Sequence, residues 1–297
     1  MTMNILVLGA AGMLGSMVYS YLKADRGLKV IGTSKIRQKD LIYFDVYEGF
    51  GNFGIDLKDV DYVINCIGIT KPYCHDENII EVKNAIMVNS LFPYTLAELA
   101  SNKGFKVIQI ATDGVYSGAQ GGYTEDSPHD PVDAYGKTKS LGEVSSGPFL
   151  NIRCSIIGPE IHSKVFLLEW FLKQPKNIAI NGFFNHLWNG VTTLQFAELT
   201  REIILQGKFD TLISESHAHH FVPNDIVSKY KLLCLFNKIF DKEITVKEHK
   251  GGEKGIDRTL GSSYKTISYF YQNSTIENEI MKLKKFTDET GYYGQKR

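Results

Sequence analysis

The stretch Gly9-Ala10-Ala11-Gly12-Met13-Leu14-Gly15 constrains this chain more than any other. It follows an apolar run, residues 4–9 (NILVLG), that reads as a short buried strand, and it opens a helical pattern over about residues 14–24. A strand that turns through glycine into a helix offers an anion the unpaired N–H groups and partial positive charge of the helix start. Gly9 permits the tight exit from the strand, Gly12 lets a pyrophosphate approach the backbone, and Gly15 lets the helix pack closely on the sheet. The spacing is GxxGxxG rather than GxGxxG. The plain alternative is a turn without a ligand; a strand before it and a helix after it weigh against that.

The alternation continues. Residues 28–34, 61–69 and 105–113 read as further apolar strands, residues 78–101 and 133–143 as helices, and residues 149–157 as another strand. This rhythm implies a Rossmann-type α/β fold, a doubly wound parallel sheet covered on both faces. After Gly158-Pro159 it loosens. Helical patterns cover residues 165–173, 194–205 and 225–240, and short strands are expected near Ile178, His220 and Ile244. The expected division is a dinucleotide-binding domain over 1–158 and a smaller, mainly substrate-binding lobe over 159–297, with segments returning to the first domain.

Composition narrows the function. Lys and Arg number 33 and Asp and Glu number 33, so formal net charge is zero and no nucleic-acid surface is expected. No apolar run reaches membrane-span length, so no membrane partner is expected. The opening residues lack the features of a secretory leader, and a cytoplasmic location is expected. Cys66, Cys74, Cys154 and Cys234 are scattered without a CxxC pair, which favours reduced thiols over disulfides or zinc. His217 and His219 share a strand face that His220 does not, and no acidic or thiol partner accompanies them, so no metal is expected.

The end of the second strand bears on the cofactor. Gly32-Thr33-Ser34-Lys35-Ile36-Arg37 carries no carboxylate. Ser34, Lys35 and Arg37 suit the 2′-phosphate of NADP(H), with NAD(H) as the alternative and a solvated basic loop as the plain reading. Asp45, near the end of the third strand, is placed for adenine contact or for an ordinary turn. Tyr135 and Lys139 form a YxxxK pair on one helix face. A tyrosine pKa of about 10 is high for proton exchange at neutral pH, and a neighbouring ammonium is expected to lower it. The same spacing occurs at Tyr19/Lys23 and Tyr292/Lys296, but only Tyr135/Lys139 follows a strand ending in a hydroxyl, Thr112.

These residues resemble the extended short-chain dehydrogenases/reductases, and within them the dTDP-4-dehydrorhamnose reductase branch. The likeness runs through Gly9, Gly12 and Gly15; Asn65-Cys66-Ile67-Gly68; Val88-Asn89; residues 111–118 (ATDGVYSG); Tyr123-Thr124-Glu125-Asp126; residues 135–139 with Gly142-Glu143; Ile152-Arg153-Cys154-Ser155; and Gly158-Pro159. It is strong to about residue 160 and thinner beyond. It implies a catalytic set of Thr112, Tyr135 and Lys139. It also implies cofactor contacts from Met13, Leu14, Cys66, Ile67, Gly68 and Asn89, and substrate contacts from Thr112, Asp113, Val115, Tyr116 and Ser155. The loop at residues 185–192 corresponds to one near the sugar-nucleotide cleft. There Trp188 suits stacking and Asn185 and His186 suit hydroxyls or phosphate; an ordinary loop anchored by tryptophan is the alternative.

Two departures matter. The related 4,6-dehydratases have Asp-Glu after the threonine, and this chain has Asp113-Gly114. The Arg153-Cys154-Ser155 segment also lacks the aromatic residue common in rhamnose-type reductases. The expected activity is NADPH-dependent reduction of a 4-keto-6-deoxy nucleotide sugar, with Tyr135 as proton donor and a homodimer allowed. A sugar-nucleotide epimerase that retains NAD and a non-catalytic, NADP-binding regulatory subunit are the alternatives.

Overall fold

The structure is a computed structural model that describes residues 2–51 and 53–292. The first half runs β1 (Met3–Leu8), α1 (Met13–Lys23), β2 (Leu28–Ser34), β3 (Ile42–Tyr43), β4 (Tyr62–Asn65), α2 (Ile79–Ala85), α3 (Phe92–Lys103), β5 (Lys106–Ala111), α4 (Ala134–Leu141) and β6 (Phe149–Arg153). Then follow β7 (Ile156–Ile157), α5 (Leu167–Leu172), β8 (Ala179–Phe183), β9 (His186–Trp188), β10 (Val191–Thr192), α6 (Thr193–Leu205), α7 (Phe209–Glu215) and β11 (Ala218–His220). The described chain closes with β12 (Val227–Ser228), α8 (Lys229–Phe240), β13 (Thr245–His249), β14 (Ile256–Asp257) and α9 (Ile276–Thr290).

Seven strands form the main sheet in the order β11-β6-β5-β4-β1-β2-β3, and every pairing in it is parallel. Alternate residues of β1 explain why its sequence is continuously apolar. Ile5 and Val7 join a core with Met17, Val18 and Leu22 of α1, whereas Leu6 and Leu8 join one with Leu96, Ala97 and Ala100 of α3. Both faces are therefore covered, as a parallel sheet requires. Chain order reverses at β1, which pairs with β2 on one side and β4 on the other. Such a reversal opens a crevice at the carboxyl ends of the strands, and the loops after β1 and β4 line it here.

The second half does not stand apart from this sheet. β11 adds in register beside β6, with Ala218 opposite Asn151 and His220 opposite Arg153. Phe196, Leu199 and Ile203 of α6 belong to the same core as α1. Among the described residues, three small sheets, β7-β10, β12-β9-β14 and β8-β13, and the helices α5, α7, α8 and α9 complete the structure.

Several local expectations shift. The helix expected over 78–101 is interrupted by a π-helical turn, Ile86–Leu91, between α2 and α3. Pro93 has no N–H to donate to the carbonyl of Asn89, which favours widening of the turn at this point. The strand expected over 149–157 breaks at Cys154-Ser155 into β6 and β7. The loop expected at residues 185–192 contains β9 and β10. α9 is an addition. Thr275 caps it by accepting from Asn278 N, and Gly291, at φ 60°, ends it in the left-handed region.

Candidate active site

The crevice is a cleft of about 950 Å³. Its floor begins at the glycine turn. Gly9 has φ +78°, a left-handed conformation that favours glycine, and a Cβ on Gly15 would collide with the Gly9 carbonyl. Gly12 is the N-cap of α1 and no side chain caps the helix, so its first N–H groups remain available to a ligand. Gly12, Met13 and Leu14 line the cleft, as do Cys66, Ile67 and Gly68 after β4. Gly9 and Gly15 shape the turn from behind.

Thr112, Tyr135 and Lys139 line the same cleft. Thr112, just beyond β5, accepts from Gly114 N at 3.0 Å and donates to Asp113 Oδ1 at 3.3 Å. Asp133 caps α4 by accepting from Gly136 N at 2.8 Å, and the same carboxylate pairs with Lys71 at 2.8 Å. That cap fixes the first turn of α4, which carries Tyr135. Lys139, one turn later, donates from Nζ to the Ile110 carbonyl at 3.0 Å.

The protonation pattern corrects one expectation. Burial pushes the Tyr135 phenol up to about 12, and the hydrogen bond with Thr112 opposes this only in part. The charges acting on it are those of Asp113, Asp133 and Arg258, while the Lys139 amine is turned to Ile110. The phenol is thus held protonated rather than drawn toward phenolate. Desolvation lowers Lys139 to about 8, opposed by the Glu143 carboxylate and by Cys66.

Ser155 after β6 and, from the lobe, His186, Trp188, Lys229 and Arg258 close the far side of the cleft. Lys229 Nζ lies 4.9 Å from the centroid of the Trp188 ring. Desolvation lowers its ammonium to about 8, and the nearby Asp113 carboxylate opposes the shift. Burial in turn raises the Asp113 carboxyl, against Arg258 and Lys229. Trp188 Nε1 is buried without a hydrogen-bond partner. This wall is therefore rich in donors and positive charge, which suits an anionic, oxygen-rich group.

Other expected residues sit elsewhere. Ser34 is buried, and its hydroxyl accepts from Ile36 N at 3.0 Å. The Arg37 guanidinium lies 4.9 Å from the Tyr43 ring centroid. Of the three basic-loop candidates, Lys35 alone lines the cleft. Asp45 accepts from Tyr47 N at 2.9 Å, as a turn residue does. Asn89 holds Ile69 through its N–H at 2.8 Å and its carbonyl at 2.9 Å, so it shapes the cleft wall from behind. Val115 and Tyr116 are fully buried; Tyr116 stacks on Tyr123 at 4.4 Å and belongs to the core. Asn185 is taken up by Gly251, accepting from its N–H at 2.8 Å and donating to its carbonyl at 2.9 Å. The three histidines meet backbone carbonyls of Phe149, Leu212 and Gly261. Tyr19 meets Lys23 on α1, away from the cleft; of the third pair, Tyr292 lies against Ser16 and Lys296 falls outside the described residues.

Lys229, Arg258, Lys71 and Asp133 were not expected. Lys229 and Arg258 come from the lobe, where no spacing marks them; an Asp three residues before Gly136 was a readable cap signal.

Residues 3–148 match the family model described as the RmlD substrate binding domain. That stretch carries the glycine turn together with Thr112, Tyr135 and Lys139. The spore coat polysaccharide biosynthesis protein SpsK of Bacillus subtilis is 32% identical over 141 residues, which cover 47% of this chain and 47% of that protein. The methionine adenosyltransferase 2 subunit beta of Xenopus tropicalis is 29% identical over 143 residues, covering 46% of this chain and 41% of that one. The chain thus covers about half the length of these curated relatives or less. The crystal structure of a dTDP-4-dehydrorhamnose reductase from Bacillus anthracis, in complex with NADP, has a similar fold. Its TM-score is 0.73 at 16% identity, with 96% of this chain and 100% of that chain covered. Among the described residues no helix is long and apolar enough to cross a membrane, and no cluster of His, Cys, Asp and Glu is placed to hold a metal ion.

Proposed function

We propose that this protein is an NADPH-dependent reductase of a 4-keto-6-deoxy nucleotide sugar, acting in the cytoplasm without nucleic-acid or membrane partners. The observation that carries this is the convergence of Thr112, Tyr135 and Lys139 on the cleft that the glycine turn opens into. The residues present fit a dinucleotide. The uncapped N-terminus of α1 suits its pyrophosphate, Lys35 suits a 2′-phosphate, and Lys139 suits the ribose hydroxyls. The reduced nicotinamide, when bound, supplies hydride to the keto carbon. Tyr135 holds a proton on its phenol oxygen for the developing alkoxide, and Thr112 donates to the same oxygen. Lys229 and Arg258 face the substrate's anionic part. The preference for NADPH rests on Lys35, and NADH remains the alternative. A homodimer would draw on exposed apolar side chains such as Ile79, Ile80 and Leu91.

The same geometry disfavours elimination of water. An acid at position 114 would begin with a Cβ 3.1 Å from Tyr135 Cε1 and 3.3 Å from Thr112 Oγ1. A side chain there would require the Tyr135 ring or Thr112 to give by a few tenths of an ångström, and glycine itself supplies no acid. The test is to follow reduced-nicotinamide absorbance with the purified chain. Stoichiometric NADPH consumption is expected with a 4-keto-6-deoxy nucleotide sugar, and no net reaction with its 4,6-dihydroxy precursor. A keto product from the precursor without cofactor consumption would establish a dehydratase instead. The likeness to a methionine adenosyltransferase subunit makes a binding role the second reading. Tight NADP(H) binding with no turnover of any keto-sugar nucleotide would establish that one.

A further inference from the structure

A buried carboxyl group is costly unless its oxygens are bonded. Glu160 is 1% exposed, and both of its oxygens are taken up by the stretch of chain just beyond it. Oε1 accepts from the Ser163 hydroxyl, and Oε2 accepts from Phe166 N at 2.6 Å. The residues between are largely surface, with Ile161 and Val165 both exposed. Lys164 stands at φ 56°, a conformation a lysine keeps only where its surroundings hold it.

Both ends of this loop are fixed. β7 runs beside β10, with Ile156 opposite Val191 and Ile157 opposite Thr192. A Cβ on Gly158 would collide with Thr193 of α6, so the chain leaves β7 pressed against that helix. Glu160 N donates to Glu169 Oε1 of α5 at 3.4 Å. At the far end the Phe166 carbonyl accepts from Trp170 N at 2.7 Å, and the Lys164 carbonyl accepts from Lys173 Nζ at 2.7 Å. Of residues 161–166, Ser163 and Phe166 line the cleft, and these are the two that Glu160 holds.

We propose that Glu160 is a positioning residue for substrate binding: it pins residues 161–166 so that Ser163 and Phe166 present a preformed surface to the sugar nucleotide. Without the clamp this loop would have to order itself as the ligand arrives, and that ordering is subtracted from affinity. Glu160 acts through these two residues and leaves the cofactor side of the cleft, built on the glycine turn, untouched. The identity of the ligand rests on the reductase reading; the clamp does not.

The test combines hydrogen exchange at single amides with calorimetry on the full chain. In the unmodified protein the Phe166 amide should exchange slowly, although His162 on the same loop is exposed and should exchange fast. Glu160→Gln keeps the shape and one acceptor oxygen. It should speed exchange at Phe166 by about tenfold and weaken binding of dTDP-glucose or UDP-glucose by about tenfold, with the Kd for NADPH unchanged. Glu160→Ala should do more, but it strands two donors in a buried place and threatens folding, so the glutamine variant carries the comparison. A Phe166 amide as fast as that of His162 in the unmodified protein overturns the proposal. So does a sugar-nucleotide affinity that Glu160→Gln leaves unchanged, or one that falls only in step with NADPH. If the unmodified protein binds neither sugar nucleotide, the reductase reading fails and exchange at Phe166 alone decides the clamp.

Discussion

Tyr135 and Lys139 stand one helical turn apart, and desolvation acts on them in opposite senses: it raises the phenol to about 12 and lowers the amine to about 8. Below about 8 both therefore carry a proton, the state a reductase needs at the start of its cycle. Tyr135→Phe removes the donated proton and little volume. Turnover should fall by a factor on the order of 10² or more, with NADPH binding retained in a fluorescence titration. Lys35→Ala should weaken NADPH by about tenfold and leave NADH nearly unchanged, because a charge-assisted bond to the 2′-phosphate is lost. Equal losses would remove the argument for NADP. That Thr112, Tyr135 and Lys139 share one cleft was legible because a strand-end hydroxyl and an i, i+4 pair are local patterns. The direction of Ser34, Arg37 and Tyr116 was not. A serine can close its own turn, an arginine can lie on a nearby tyrosine, and a tyrosine can satisfy its hydroxyl inside the core. Residue type says what a side chain can bond, and only packing says which way it turns.

At the scale of elements, β1, the glycine turn and α1 were legible together, because each needs the others: an apolar strand, a turn without Cβ atoms, and a helix close against the sheet. The break at Ile86–Leu91 was less visible, since Pro93 is equally at home in the first turn of a new helix. Trp188 and Lys229 meet across β9 and the start of α8, and no local pattern announces a contact between residues so far apart. Arg153 of β6 bonds the Glu143 carboxylate at 2.6 Å and His220 Nε2 at 3.2 Å, and this buried polar chain has a consequence for acid stability. Burial holds His220 and His129 below the ordinary histidine range, so between the two values the unfolded chain binds more protons than the folded one. Their contribution is present in full above an unfolded value of about 6.5 and is lost as pH falls from there through the lowered folded values. Tm measured against pH should drop on the acid side of 6.5, and His220→Gln, which can still accept from Arg153, should flatten that drop. An identical slope in the variant would assign the loss elsewhere.

At the scale of the molecule, residues from both sides of Gly158-Pro159 share one core and one sheet. A fragment of residues 1–158 lacks β11 beside β6 and α6 against α1, and it should aggregate or show no cooperative thermal transition. A sharp transition in the fragment would make the first domain autonomous. The return of β11 also bears on how the chain is made. During synthesis β6 emerges with one side of its backbone unpaired, and it stays so until the strand at residues 218–220 has followed. Closing that edge joins residues far apart in sequence, which is the slow kind of folding step. For that interval the newborn chain carries an open strand edge, the kind of surface that templates pairing with a neighbouring copy.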